Sequence, residues 1–150
     1  VLYSGTVSAA AEGALLGMKA IAVSQIASKE KFNYKSAAKF VIEYIESIKE
    51  LEFPNDTLLN MNIPNIPYEK IKGFKYTIQG DRRYTDNFIE RMDPRGNKYY
   101  GLGGEAEEYE ENPEADFIVV KDGYVSITPI NLNLTDTKFL AELKKKGEKK

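Results

Sequence analysis

The sequence predicts an α/β fold, and three observations carry that expectation. Helical stretches alternate with short apolar runs over residues 1–63. After Pro67 the pattern changes to short strand-like runs separated by turn residues. A charged amphipathic stretch closes the chain after Thr135. Helix, strand, helix, strand in succession belongs to a layered sheet with helices on its faces.

The first helix is expected from about Thr6 to Leu16, rich in alanine and other small residues that allow close packing on a sheet. Ser4 or Thr6 caps its amino end, and Gly17 stops it. Ala20 to Ser24 is a short apolar run that suits a buried parallel strand. Residues 35–51 place Ala37, Val41, Tyr44, Ile45 and Ile48 on one helical face, with Lys39, Glu43, Glu46, Lys49 and Glu50 mostly elsewhere. Pro54 and Asn55 end that helix. Leu58 to Ile63 reads as a second strand, closed by Pro64 and Pro67. Two parallel strands joined through a helix imply a right-handed crossover.

Beyond Pro67, residues 73–79 read as a strand. Residues 84–92 and 97–102 read as an antiparallel pair around the turn Asp93-Pro94-Arg95-Gly96. Glu105 to Glu114 is expected to be an acidic loop. Strands are expected at Phe117 to Val120 and Tyr124 to Ile127, joined by Lys121-Asp122-Gly123, because Asp-Gly is a strong hairpin signal. Thr135 or Asp136 caps a last helix to about Lys145, with Phe139, Leu140 and Leu143 on its apolar side. The lysine-rich end reads as a solvated tail.

Composition excludes several kinds of chemistry. The chain has no cysteine and no histidine, so it builds no disulfide, no zinc site of the usual ligands and no Ser-His-Asp triad. A metal would need oxygen ligands, which favours a hard cation such as magnesium, manganese or calcium. With 21 basic and 23 acidic residues there is no surplus of positive charge to attract a DNA or RNA duplex or a membrane surface. No apolar run approaches the roughly 20 residues that span a bilayer. A basic stretch followed by an apolar block is absent at the start, so the cytoplasm is the expected location.

The best candidate for chemistry is Ser4-Gly5-Thr6, two hydroxyls around a glycine at a helix start. Unpaired N–H groups and about +0.5 of dipole charge at that end receive a phosphate well. The same triplet also reads as simple capping. The mixed charges Asp81, Arg82, Arg83, Asp86, Glu90, Arg91, Asp93 and Arg95 read as a solvent-facing or subunit-facing hairpin. Gly101 to Gly104 is a weak phosphate signal, and Tyr99 and Tyr100 read as packing residues with one ring on each strand face. The acidic run from Glu105 to Glu111 reads as too loose to hold calcium.

Tyr3-Ser4-Gly5-Thr6-Val7-Ser8-Ala9-Ala10 with Glu12-Gly13 resembles the SurE family, the stationary-phase survival proteins. Further blocks agree in order. They are Leu59-Asn60-Met61-Asn62-Ile63-Pro64, Gln79-Gly80 with Arg82 and Tyr84, Asp93-Pro94-Arg95-Gly96 with Tyr99-Tyr100, Asp116-Phe117, Gly123 to Pro129, and Leu134-Thr135-Asp136. The resemblance runs over essentially the whole chain. Gly101 stands where the family usually has tryptophan, and Ile78 where arginine is frequent, departures that bear on substrate preference.

The resemblance implies the latter part of a Rossmann-like three-layer sheet, extended by a carboxy-terminal β-hairpin and a terminal helix. Residues 1–67 would be the second part of the Rossmann-like domain, and residues 68–150 the hairpin, closing strands and tail used in oligomerisation. It implies a metal-dependent phosphomonoesterase acting on nucleoside monophosphates, assembled as a homodimer or homotetramer. Ser4 would contact phosphate, with Gly5 and Thr6 helping through backbone N–H and hydroxyl groups. The divalent ion, magnesium or manganese, would take its ligands upstream of Val1, so no catalytic or metal-binding residue is expected within the chain itself. A sheet without its first strands would carry an open apolar edge. The alternative is a non-catalytic phosphate-binding, nucleotide-binding or oligomerisation module.

Overall fold

The computed structural model describes residues 1–26, 31–84, 87–103, 106–108 and 112–147. Helix α1 spans Gly5–Leu15, strand β1 Ala20–Gln25, helix α2 Tyr34–Ile48 and strand β2 Thr57–Ile63. A 3-10 turn at Tyr68–Lys70 leads to β3 at Phe74–Tyr76. Four strands follow: β4 Arg82–Tyr84, β5 Asn87–Met92, β6 Lys98–Gly103 and β7 Ala106–Glu108. Helix α3 at Asp116–Lys121, β8 at Val125–Asn131 and α4 at Thr137–Gly147 complete the chain.

The main sheet has the order β1-β2-β8-β3. β1 and β2 are parallel, from Ala20 opposite Leu58 to Gln25 opposite Ile63. β8 runs antiparallel to β2, and β3 is parallel to β8. The sheet therefore draws strands from both sides of Pro67, and β1 stands at its edge. Pro129 is tolerated in β8 because β3 pairs only as far as Ile127.

Alternation along β2 separates the two faces. Leu59, Met61 and Ile63 pack with Val125, Ile127 and the α2 residues Ala37 and Tyr44. Leu58 faces the other way, with Ala20, Ala22 and the α1 residues Val7 and Ala14. Each fully buried side chain of this size contributes about 1.5–3 kcal/mol. Helix, sheet and helix thus form the three layers of a Rossmann-like fold. Burial also raises the Tyr44 phenol well above its ordinary range, and its ring meets Phe74 edge-on at 5.4 Å.

The helix ends follow the sequence closely. Ser4 caps α1, its Oγ accepting the Val7 amide at 3.3 Å. Gly17 takes the left-handed φ of 78° that ends the helix region. Asp136 rather than Thr135 caps α4, accepting the Phe139 amide at 2.9 Å. One expected core position on α2 is misplaced: Ile45 is 44% exposed, and Phe40 packs on the core instead.

The expected strand at Phe117–Val120 is a helix, and the expected hairpin there does not form. Asp-Gly has two uses. Here Asp122 is the helix C-cap, and Gly123 follows with φ of 86°, its amide donating to the Val120 carbonyl at 3.0 Å. Phe117, Val119 and Val120 are buried on this short helix. The next strand is also longer than expected, running to Asn131 because β2 supplies partners along its length. Within the expected acidic loop, Ala106–Glu108 forms β7 and pairs with β4. Residues 104, 105, 109–111 and 148–150 lie outside the described residues, and with them most of the acidic run and the end of the lysine tail.

The expected hairpin of β5 and β6 is present, with Asn87 opposite Gly103 and Met92 opposite Lys98. Its turn is organised by Asp93, whose Oδ1 accepts the Arg95 and Asn97 amides, each at 2.8 Å. Among the described residues no helix is long and apolar enough to cross a membrane.

Candidate functional site: a polar-floored cleft at the start of α1

Two adjacent polar rows interrupt the α1 face of the sheet. Pairing places Ser24, Asn62 and Ser126 in one row, and Ala22, Asn60 and Thr128 in the next. Thr77 extends the second row, its hydroxyl 2.7 Å from that of Thr128. Asn60 is only 5% exposed, Ser126 is fully buried, and a buried amide is costly unless it finds a partner or water. Of these residues, Ser24, Asn60 and Asn62 form the floor of a cleft of about 350 Å³, at the lower end of ligand-pocket sizes. Ser4 and Val7 on α1 line one side, and Gln79, Gly80, Asp81, Asp116 and Phe117 line the other.

The cleft lies at the carboxyl ends of β1 and β2, where open α/β sheets place their ligands. The far wall is held by Asp116. Its Oδ1 accepts the Gly80 amide at 3.2 Å and the Phe117 amide at 2.8 Å. Its Oδ2 accepts Nδ2 of Asn62 at 3.4 Å. The Asp116 amide in turn donates to the Ile78 carbonyl at 3.0 Å. Gly80 has no room for a side chain, since an added Cβ would stand 2.4 Å from Cε1 of Phe117.

Of the three residues singled out from the sequence, Ser4 lines the cleft as the α1 cap. Gly5 and Thr6 are exposed in the first turn and do not line it. Helix geometry leaves the first amides without intrahelical acceptors, and the Val7 amide is taken by Ser4. The Gly5 and Thr6 amides are therefore the donors left for a ligand. Because Ser4 Oγ accepts from Val7, its own O–H also remains free to donate.

Other expected candidates lie apart from this cleft. Tyr99 and Tyr100 sit on the β5–β6 hairpin, where the Tyr100 hydroxyl donates to Glu90 at 3.0 Å. Lys98 pairs with the same carboxylate at 2.7 Å. Asp81 of the mixed-charge stretch lines the cleft; Asp86 lies outside the described residues.

The donor set does not fit a resident divalent ion. Among the described residues no three aspartate or glutamate side chains converge, and the Asp116 carboxylate is already committed to three donors.

Residue-by-residue reasoning missed the floor and the clamp, which entered only within the family blocks. A signal for the floor was present. Leu58, Asn60 and Asn62 alternate with Leu59, Met61 and Ile63, so two asparagines fall on one face of a strand that is otherwise apolar. Asp116 carries no comparable signal, because its role depends on contacts with residues 36 and 54 positions away.

An open parallel pair with helices on both faces, and a cleft beyond its strand ends, defines a Rossmann-like α/β protein. The Survival protein SurE family model matches residues 1–86. The chain is 43% identical over all of its 150 residues to a protein of Thermosipho africanus named 5'-nucleotidase SurE, covering 58% of that protein. It is 46% identical over 144 residues to one of the same name from Alkaliphilus metalliredigens, covering 96% of this chain and 56% of that one. The crystal structure of the SurE protein from Aquifex aeolicus superposes with a TM-score of 0.79 at 38% identity, over 96% of this chain and 58% of that one. The chain belongs to the SurE family. It spans a little over half the length of these relatives.

Proposed function

We propose that the chain is the phosphate-receiving part of a metal-dependent phosphomonoesterase that hydrolyses nucleoside monophosphates, a 5'/3'-nucleotidase. The observation that supports this reading best is the start of α1, with two unclaimed amides beside a polar cleft at the strand ends. The name 5'-nucleotidase, carried by relatives that match the whole chain, supports it independently.

On this reading Gly5 and Thr6 donate backbone N–H bonds to the phosphoryl oxygens, with the Thr6 hydroxyl alongside. Ser4 donates its O–H. Preorganised donors of this kind stabilise charge that grows on the phosphoryl group in the transition state. A divalent ion, magnesium or manganese, would polarise the phosphoryl group when bound, with its ligands supplied by residues outside these 150. The proposed setting is the cytoplasm, where nucleoside monophosphates are made and consumed.

Assembly as a homodimer or homotetramer is part of the same proposal. Its support is α4, which buries no residue of its own and leaves Phe139, Leu140 and Leu143 exposed. The β5–β6 hairpin likewise exposes Phe88, Met92 and Tyr100. Surfaces of this kind mark contact sites.

The test is phosphate release from a nucleoside 5'-monophosphate by the intact protein with added manganese or magnesium. Release that a chelator abolishes is expected. Failure to release phosphate, with nucleotide still bound, would favour a non-catalytic nucleotide-binding module.

A further inference from the structure

The clamp at Asp116 decides which atom Asn62 presents to the cleft. An ionised carboxylate only accepts hydrogen bonds, so the Asn62 amide must turn Nδ2 toward it. The same Nδ2 lies 3.4 Å from Oγ of the buried Ser126. Both of its N–H groups then have acceptors, and Oδ1 is left over. Among the described residues, the unpartnered side-chain atoms sealed from solvent are Gln25 Oε1 and the Tyr44 hydroxyl. Asn62 Oδ1 is not one of them. Among the described residues it has no hydrogen-bond partner, and its side chain lines the cleft.

A fixed acceptor in a cleft selects a donor on its ligand. Ser4, the cap at the start of α1, lines the same cleft. In a nucleoside monophosphate the donors nearest the phosphate ester are the sugar hydroxyls. We propose that Asn62 Oδ1 accepts a hydrogen bond from a sugar hydroxyl of the substrate, and that Asp116 is the positioning residue that sets this orientation. This inference rests on the nucleotidase reading above. Asp116 also holds the Gln79–Gly80 wall through the Gly80 amide, so floor and wall are fixed by one carboxylate.

The experiment uses the intact protein with manganese and three esters: adenosine 5'-monophosphate, its 2',3'-dideoxy analogue, and p-nitrophenyl phosphate, which has no sugar. Wild-type protein should show KM about five- to tenfold higher for the dideoxy ester than for the ribose ester, the size expected for one neutral hydrogen bond. Asn62→Ala should raise KM for the ribose ester to the dideoxy level, so that the ribose-to-dideoxy ratio falls to about one, with a smaller change for the p-nitrophenyl ester than for the ribose ester. Asp116→Asn should collapse the same ribose-to-dideoxy ratio, because a carboxamide can offer Asn62 either a donor or an acceptor and so frees its orientation.

A variant that lowers activity on all three esters equally would reduce both residues to a structural role and overturn the proposal. Equal KM for ribose and dideoxy esters in the wild type would also overturn it, even if Asp116→Asn failed to fold. Wild-type protein that hydrolyses none of the three esters would overturn the nucleotidase reading, and this inference with it.

Discussion

The Ser4 hydroxyl accepts the Val7 amide at 3.3 Å, which makes one side chain both the cap of α1 and a lining residue of the cleft. The two roles separate in magnitude. Loss of an N-cap costs about 0.5–2 kcal/mol of stability. Loss of one preorganised donor to a transition-state oxyanion costs about 2.7–4 kcal/mol of activation energy.

Ser4→Ala in the intact protein is therefore expected to lower kcat about 10²–10³-fold, with a small fall in melting temperature. Steady-state kinetics and thermal unfolding on the same preparation check it. Unchanged kinetics with a lowered melting temperature would leave Ser4 as a cap alone.

Gly80→Ala is expected to destabilise by about 1–3 kcal/mol, the usual cost of overpacking. The added Cβ would meet the Phe117 ring at 2.4 Å and 2.7 Å, and Cβ of Ala115 at 3.0 Å. Denaturant unfolding measures the loss, and Phe117→Leu in the same chain should recover part of it. Wild-type stability for Gly80→Ala would show that the wall is not packed this closely.

The β5–β6 hairpin is expected to loosen in acid. Lys98 and then Tyr100 hold the Glu90 carboxyl below its ordinary value of 4.5. The Asn97 side chain, followed by its backbone amide, holds Asp93 below 3.8. Lowered folded-state values mean that the stabilisation is present above 4.5 and 3.8, and is lost as pH falls through the lower folded-state values. Protection of the Arg95 and Asn97 amides, taken relative to the exchange rate of an unstructured chain at the same pH, should fall across that acid range, and Asp93→Asn should remove the part of the change that belongs to the turn. Protection factors at both amides that stay constant through that range would contradict the assignment.

Much of the layered core was legible because local pattern and tertiary packing agree there. The strand at Leu58 to Ile63 announces itself by apolar residues, and α2 by its period. Leu59, Met61 and Ile63 meet Ala37 and Tyr44 as that pattern requires. Ile45 fits the same helical face by spacing, yet it is exposed while Phe40, Val41 and Ile48 pack on the core. The region around Asp122-Gly123 failed for a different reason. A left-handed glycine serves a hairpin and a helix end equally, and only the burial of Phe117 and Val120 against the sheet decides between them.

The cleft was half legible. Ser4 is visible from sequence because a helix start is a local feature. Asn60 and Asn62 leave a trace in the alternation of β2. Asp116 leaves none in the local pattern and enters only through the Asp116-Phe117 block, since its meaning comes from the distant Gly80 and Asn62 that it joins.

The central claim is that the start of α1 receives the phosphate of a nucleotide. The most direct measurement is the amide spectrum of the intact, isotope-labelled protein titrated with a nucleoside 5'-monophosphate. The Gly5 and Thr6 amide protons should move downfield more than any others in α1, because hydrogen bonding to an anion deshields them. Saturable nucleotide binding that leaves the Gly5 and Thr6 signals in place would contradict it.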